Sequence, residues 1–95
     1  LKRLGANLRT ARLRRNLTIG DMAEKIGTGD RAVADAEKGK PSTGIAVYVA
    51  MLWALDLIGQ IADVAAPEQD EEGQILAMSR ERARARPKGG LDNDF

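Results

Sequence analysis

Apolar residues recur at three- and four-residue spacing through the first two thirds of the chain, which is the spacing of one face of an α-helix. The pattern predicts helices at about residues 2–15, 18–26, 30–38, 43–55 and 57–65, so the expected fold class is all-α. The positions expected to face inward are Leu4, Leu8, Ala11, the stem of Arg12, Met22, Ala23, Ile26, Ala32, Val33, Ala36, Val47, Ala50, Met51, Ala54, Leu57, Ile58, Ile61 and Val64.

Residues 18–39 carry the clearest signals for where helices begin and end. Thr18 is a good N-cap, and Asp21 three residues later approximates a capping box, with Asp in place of the usual Glu. Gly27 follows the second predicted helix, at a position where helices often end with a positive φ that glycine adopts easily. Gly39 ends the next segment. Two short helices joined by a tight glycine-containing turn are the layout of a DNA-binding helix-turn-helix.

The fourth predicted helix, which Ser42 or Thr43 can cap, is apolar on most sides. Its run of residues 45–55 is too short to span a bilayer, which takes about 20 residues, and indicates a buried helix. Tyr48, Val49, Leu52 and Trp53 have two interpretations. They either fill the core or form a homodimer seam, because a bundle of about 60 residues has little room to cover this helix on both sides.

Beyond Pro67 the composition changes, which divides the chain into a domain at residues 1–66 and a charged tail at residues 67–95. Residues 71–85 favour one more helix, acidic at its start and basic at its end, as the helix dipole prefers. Pro87, Gly89 and Gly90 prevent its continuation. We expect the tail to be partly helical and flexible unless a partner orders it.

Composition narrows the possible chemistry. The chain has neither cysteine nor histidine, which excludes disulfides, the usual zinc sites and histidine-activated nucleophiles. We therefore expect no enzyme, no metal and no cofactor. Residues 1–10 lack the apolar stretch of a signal peptide, and the lack of cysteine is compatible with the cytoplasm, where we expect the protein.

The net charge of +1 conceals strong segregation along the chain. Residues 1–17 carry six cations and no acid, residues 67–79 carry four acids, and residues 80–88 carry five cations and one acid. The first block is either a solvated helix face or a surface for the DNA backbone. Membrane attachment is disfavoured because this helix lacks a wide face of large apolar residues.

The outward face of the third helix supplies the residues expected to contact bases, which are Gly29, Asp30, Arg31, Ala34 and Asp35. Arg31 is the best of them, since guanidinium pairs bidentately with guanine. The two aspartates can accept a hydrogen bond from cytosine, but an acid near phosphates lowers affinity. Alternatively, Asp30 caps the third helix and Asp35 pairs with Arg31 or Lys38.

Contacts to DNA phosphates are expected from backbone amides and from cations. The expected amides lie at the start of the second helix, at Thr18, Ile19 and Gly20. The expected cations are Lys38, Lys40, Arg12 and Arg15, with Arg14 beside them.

Residues 4–58 resemble the Xre/Cro family of repressors. The matching features are Leu17-Thr18, Ala23, Ile26-Gly27, Val33, Glu37-Lys38-Gly39, Pro41-Ser42 and Leu55. The resemblance implies a five-helix bundle similar to the lambda repressor domain, which represses transcription as a homodimer on a palindromic operator and pairs near helices four and five. Ile19 departs from the family pattern, which often has glutamine there to brace the recognition helix.

The tail resembles that of HipB-like antitoxins in its acidic segment, its arginine-rich stretch and its terminus. The arginine-rich stretch comprises Arg80, Arg82, Arg84, Arg86 and Lys88, and the terminus is Leu-Asp-Asn-Asp-Phe at residues 91–95. This implies an antitoxin that represses its own operon and binds a HipA-type kinase toxin. Alternatives are a phage- or stress-type regulator without a toxin, a protein-interaction module that does not bind DNA, and a tail that is only a solubilising extension or adds nonspecific DNA affinity.

Overall fold

The computed structural model describes residues 1–85, and over that range the chain forms helices and no strands. This confirms the all-α fold class. The α-helices are α1 (Lys2–Arg14), α2 (Ile19–Ile26), α3 (Asp30–Glu37), α4 (Ile45–Ala54) and α5 (Glu71–Ala85), with 3-10 helices at Ile58–Asp63 and Pro67–Gln69. The chain divides into one compact unit at Leu1–Ile61 and a second that begins at Ala62, whereas the sequence placed the boundary after residue 66.

The core of the first unit is made by one or two side chains from each of α1 to α4, together with Leu55, the C-cap of α4. Its buried apolar residues are Leu8, Met22, Ala23, Val33, Ala36, Tyr48, Met51 and Leu55. Leu4, Ala11, Ile26, Val47 and Ala54, all expected to face inward, are partly buried against this cluster. The helical spacing therefore located most of this core correctly, but Leu55 was not among the positions expected to face inward, and the spacing did not decide between core and dimer seam for Tyr48.

The ends of α2 are fixed by local hydrogen bonds, as the sequence predicted. The Thr18 hydroxyl accepts from the Asp21 amide at 2.9 Å, and the Asp21 carboxylate accepts from the Thr18 amide at 2.9 Å, which completes a capping box. Gly27 ends the helix with φ of 73°, and the Thr28 amide donates to the Ala23 carbonyl at 3.0 Å. These bonds set the angle at which the chain leaves α2.

Close backbone contact positions α1 on the end of α3. A Cβ at Gly5 would lie 2.5 Å from the carbonyl oxygens of Ala36 and Glu37. Gly39, with φ of 69°, ends α3 against Lys2, where a Cβ would lie 2.5 Å from the Lys2 Cα. Glycine is required at both positions because any side chain there meets backbone.

Two local predictions were wrong. The cap of α4 is Gly44, with no side-chain hydrogen bond, and not Ser42 or Thr43. The predicted helix at residues 57–65 is a 3-10 helix at Ile58–Asp63, in which no residue is buried. Asp56 and Ala65 adopt positive φ values of 61° and 55°, so α-helical geometry breaks on both sides of this segment. Ile61 and Val64, expected in the core, are exposed.

In the second unit, α5 begins at a side-chain cap and confirms the predicted helix at residues 71–85. The Asp70 carboxylate accepts from the Gly73 amide at 3.0 Å, and the Gln74 side chain donates to the Pro67 carbonyl at 2.9 Å. Among the residues described, no helix has the length and apolar character needed to cross a membrane.

Candidate nucleic-acid interface

The outer surface of α3 presents the residues that the sequence selected for base contacts. Gly29 is the N-cap, and Gly29, Asp30 and Arg31 are exposed, while Ala34 and Asp35 are partly exposed. The opposite face of α3 buries Val33 and Ala36 in the core. The helix therefore turns short side chains and one arginine toward solvent.

The two aspartates of α3 do not have the helix-cap and ion-pair roles that the sequence offered as alternatives to base contacts. Asp35 pairs with Lys40, at 3.2 Å between Oδ1 and Nζ, and not with Arg31 or Lys38. Asp30 is the first residue of α3, and its N-cap is Gly29 without a side-chain bond, so Asp30 is not the cap. The negative charge of Asp30 still lies in the first turn of α3, where it interacts favourably with the helix dipole.

Arg12, which was expected to contact a phosphate, is buried inside the domain. Its guanidinium is bound inside the domain by the Glu37 carboxylate, with Nε–Oε2 of 2.6 Å and Nη2–Oε1 of 2.9 Å, and Nη1 donates to the Leu17 carbonyl at 2.8 Å. Only 5% of Arg12 is exposed. Its assignment to a phosphate was wrong because its three nitrogens are used to join α1, α3 and the loop before α2.

The other expected cations remain at the surface. Arg15 is exposed, with Nη1 donating to the Ala11 carbonyl at 2.8 Å, and Lys38 is exposed at the end of α3. Lys40 keeps 44% of its side chain exposed while it pairs with Asp35. The first unit carries ten basic and six acidic residues, so it has a net positive charge. A polyanion is attracted to such a unit at low salt.

The first turn of α2 offers two backbone donors next to two acids. Within the described residues, no acceptor is present for the amides of Ile19 and Gly20, which point outward from the helix start. The Asp21 carboxylate, however, lies in the same turn, and a Cβ at Gly20 would be 3.9 Å from the Asp30 carboxylate. Two unpaired amides at a helix start favour an anion, and the two nearby acids oppose it.

Of the α4 residues that the sequence predicted for the core or a homodimer seam, only some are exposed. Tyr48 is 2% exposed and belongs to the core, so its place in a dimer seam was wrong. Val49 and Leu52 are partly buried, whereas Trp53 is 65% exposed. Ile45, which was not among the residues predicted for this face, is 70% exposed and precedes Val49 and Trp53 at four-residue steps, a spacing that is present in the sequence.

Comparison with known proteins does not assign a family. Neither the scan against protein-family models nor the searches of curated proteins and of solved structures returned a match. Across the described part of the chain, no group of histidine, cysteine and carboxylate side chains is arranged to hold a metal ion. The geometry of α2 and α3 and the charges around them therefore carry the functional argument.

Proposed function

We propose that this protein is a sequence-specific DNA-binding repressor that acts as a homodimer on a palindromic operator. The carrying observation is the pair of helices α2 and α3, in which a hydrogen-bonded turn fixes α3 while its outer face stays exposed with Arg31 on it. A short helix held at a fixed angle by its neighbour is the device that enters the major groove in helix-turn-helix proteins. The bundle would resemble the lambda repressor domain in that arrangement.

Two kinds of contact would hold the DNA. Arg31 would read a guanine edge, with Gly29 and Ala34 allowing close approach and Asp30 and Asp35 biasing neighbouring positions. Arg15, Lys38 and the amides at the start of α2 would hold phosphates. Since acids lie among these groups, the affinity of one protomer would be low, and two copies on two half-sites would be needed.

Dimerisation would use the α4 face formed by Ile45, Val49, Leu52 and Trp53. The support is exposure, because Ile45 and Trp53 place two large apolar side chains in water on the same face of α4, about two turns apart. Sedimentation equilibrium tests it. Trp53→Ala should raise the Kd of the dimer by at least tenfold, whereas Leu13→Ala, which removes an apolar residue 50% exposed on α1, should leave it unchanged.

Direct binding tests the proposal as a whole. The probes are a duplex from the region upstream of the protein's own gene and a shuffled duplex of the same composition, each titrated by fluorescence anisotropy at several salt concentrations. We expect tighter binding to the upstream duplex, with log K falling linearly as log salt rises. Equal and weak binding to both duplexes would contradict a sequence-specific repressor and favour a protein-interaction module.

We also propose an antitoxin role, in which the tail binds a HipA-type kinase toxin. The support is the separation of charge along the exposed helix α5, together with the resemblance of the tail. Arg86, Lys88 and the terminus at residues 91–95, which belong to that resemblance, lie outside the described residues. Co-purification with a kinase encoded beside the gene, lost on deleting residues 71–95, is the expected result. Repression without any such partner would favour a stand-alone regulator.

A further inference from the structure

Helix α5 is the longest helix among the described residues, and none of its residues is buried. Ile75, Leu76 and Met78 are 63%, 61% and 52% exposed. An isolated helix of about 15 residues is only marginally stable in water, and three large apolar side chains add a cost of exposure. A partner that covers one face of α5 would reduce both penalties.

The residues of α5 that could meet such a partner form a regular stripe. Glu71, Ile75, Met78 and Arg82 follow each other at steps of four, three and four residues, so they lie within an arc of about 60° on the helix. This spacing is that of the contact positions in a two-helix coiled coil. We call these four residues the α5 seam.

The charges of the seam select the partner and its direction. The first turn of α5 is acidic, with Glu71 and Glu72, and its last turn is basic, with Arg82 and Arg84. We propose that α5 pairs antiparallel with α5 of a second copy of this chain. Ile75 of each copy then packs on Met78 of the other, and Glu71 of each copy meets Arg82 of the other.

One register satisfies both pairs at once. Each pair is centred between Leu76 and Ala77, so a twofold axis at that point generates all four contacts. A parallel pair would place acid against acid and base against base. Pairing of α5 lies outside the proposed DNA contacts and uses a surface different from the α4 face. Because the contact from Glu71 to Arg82 is only about 17 Å long, it is a weak interface that would reinforce a dimer.

Charge reversal tests the pairing in the full-length chain by sedimentation equilibrium. Glu71→Arg alone, or Arg82→Glu alone, replaces two attractive pairs with two repulsive ones, so each should raise the Kd of self-association about tenfold. An equimolar mixture of the two single variants should associate as well as the unchanged protein, because both cross-helix pairs are again complementary. The double variant, carrying both changes in one chain, should also recover.

Matched apolar variants give a second readout that does not depend on charge. Ile75→Ser lies on the α5 seam and should weaken self-association, whereas Leu76→Ser, with nearly equal exposure, lies about 100° away and should not. Helicity from circular dichroism at low concentration checks that both variants fold alike. Identical Kd values for the charge variants and their mixture, or equal effects of the two serine variants, would overturn the proposed pairing.

Discussion

The Arg12 guanidinium and the Glu37 carboxylate form a two-pronged ion pair across 25 residues of sequence, with side chains only 6% and 5% exposed. The hydrogen bond to Glu37, reinforced by charge attraction, raises the pKa of Arg12 against the opposing effect of burial. Arg12 therefore stays charged inside the domain. The pair ties α1 to the last residue of α3 and so fixes the helix that carries Arg31.

Replacing one partner of this pair should destabilise the protein severely. Glu37→Leu leaves the Arg12 charge buried without its counter-ion, and we expect a loss of about 3–5 kcal/mol in the free energy of unfolding. Chemical denaturation followed by circular dichroism measures it. The double variant Arg12→Met/Glu37→Leu removes both charges and should recover most of the loss. If Glu37→Leu lowered the free energy of unfolding by less than about 1 kcal/mol, the ion pair would be solvated and not buried.

Gly5 should tolerate no side chain, because its Cα lies against the end of α3. In Gly5→Ala the new methyl would overlap the carbonyl oxygens of Ala36 and Glu37, and backbone has to move. We expect a cost of about 1–3 kcal/mol despite the higher helix propensity of alanine. Gly59→Ala is the control, since nothing lies within 4 Å of a Cβ there. Equal stability of the two variants would mean that α1 does not approach α3 this closely.

Features set by near neighbours in sequence were predictable. Thr18, Asp21 and Gly27 act within one helical turn, and the residue types at those positions determine how α2 begins and ends. Most core positions of α1 to α4 followed from helical spacing for the same reason. The all-α class and the helix at residues 71–85 could therefore be derived without any tertiary information.

Features set by tertiary contact were not predictable. Helical spacing placed the stem of Arg12 inward, but nothing local showed that its guanidinium would be bound inside the domain, because its partner Glu37 is distant in sequence. Tyr48 looked equally suited to core and seam, since α4 is apolar all round and the core face depends on where α1 to α3 lie. The segment after Asp56 had helical spacing, but positive φ values at Asp56 and Ala65 bound it, and it forms a 3-10 helix in which no residue is buried.

The capping box should make stability depend on pH in the acid range. Hydrogen bonds from the Thr18 amide and hydroxyl lower the pKa of Asp21 from its ordinary value of 3.8. A lowered pKa means stabilisation that is complete above the unfolded value and is lost as pH falls through the folded value. Asp21→Asn should be less stable than the unchanged protein at pH 7, and the difference in denaturation midpoints should vanish near pH 2. A difference that persists there would assign the effect to something other than ionisation.

Removing the Tyr48 hydroxyl should not harm the fold. The side chain is 2% exposed, and its hydroxyl has no hydrogen-bond partner within the part of the chain that the structure describes. Tyr48→Phe keeps the packed ring and removes an unpaired polar group, so we expect equal or higher stability, by up to about 1–2 kcal/mol. Tyr48→Ala should instead lose about 3–5 kcal/mol in thermal or chemical unfolding. A destabilised phenylalanine variant would show that the hydroxyl is satisfied.

Arg31 and Lys38 should affect DNA binding in different ways if the proposed interface is correct. Arg31→Ala should lower affinity for the upstream duplex by about 1–3 kcal/mol and relax specificity, because it removes a contact to a base edge. Lys38→Ala should weaken binding to the upstream and shuffled duplexes alike and reduce the salt slope by about 1, because it removes a contact to a phosphate. Arg9→Ala, an exposed cation on α1, is the control. If Arg31→Ala left the ratio of the two affinities unchanged, Arg31 would be a phosphate contact and α3 would not read sequence through it.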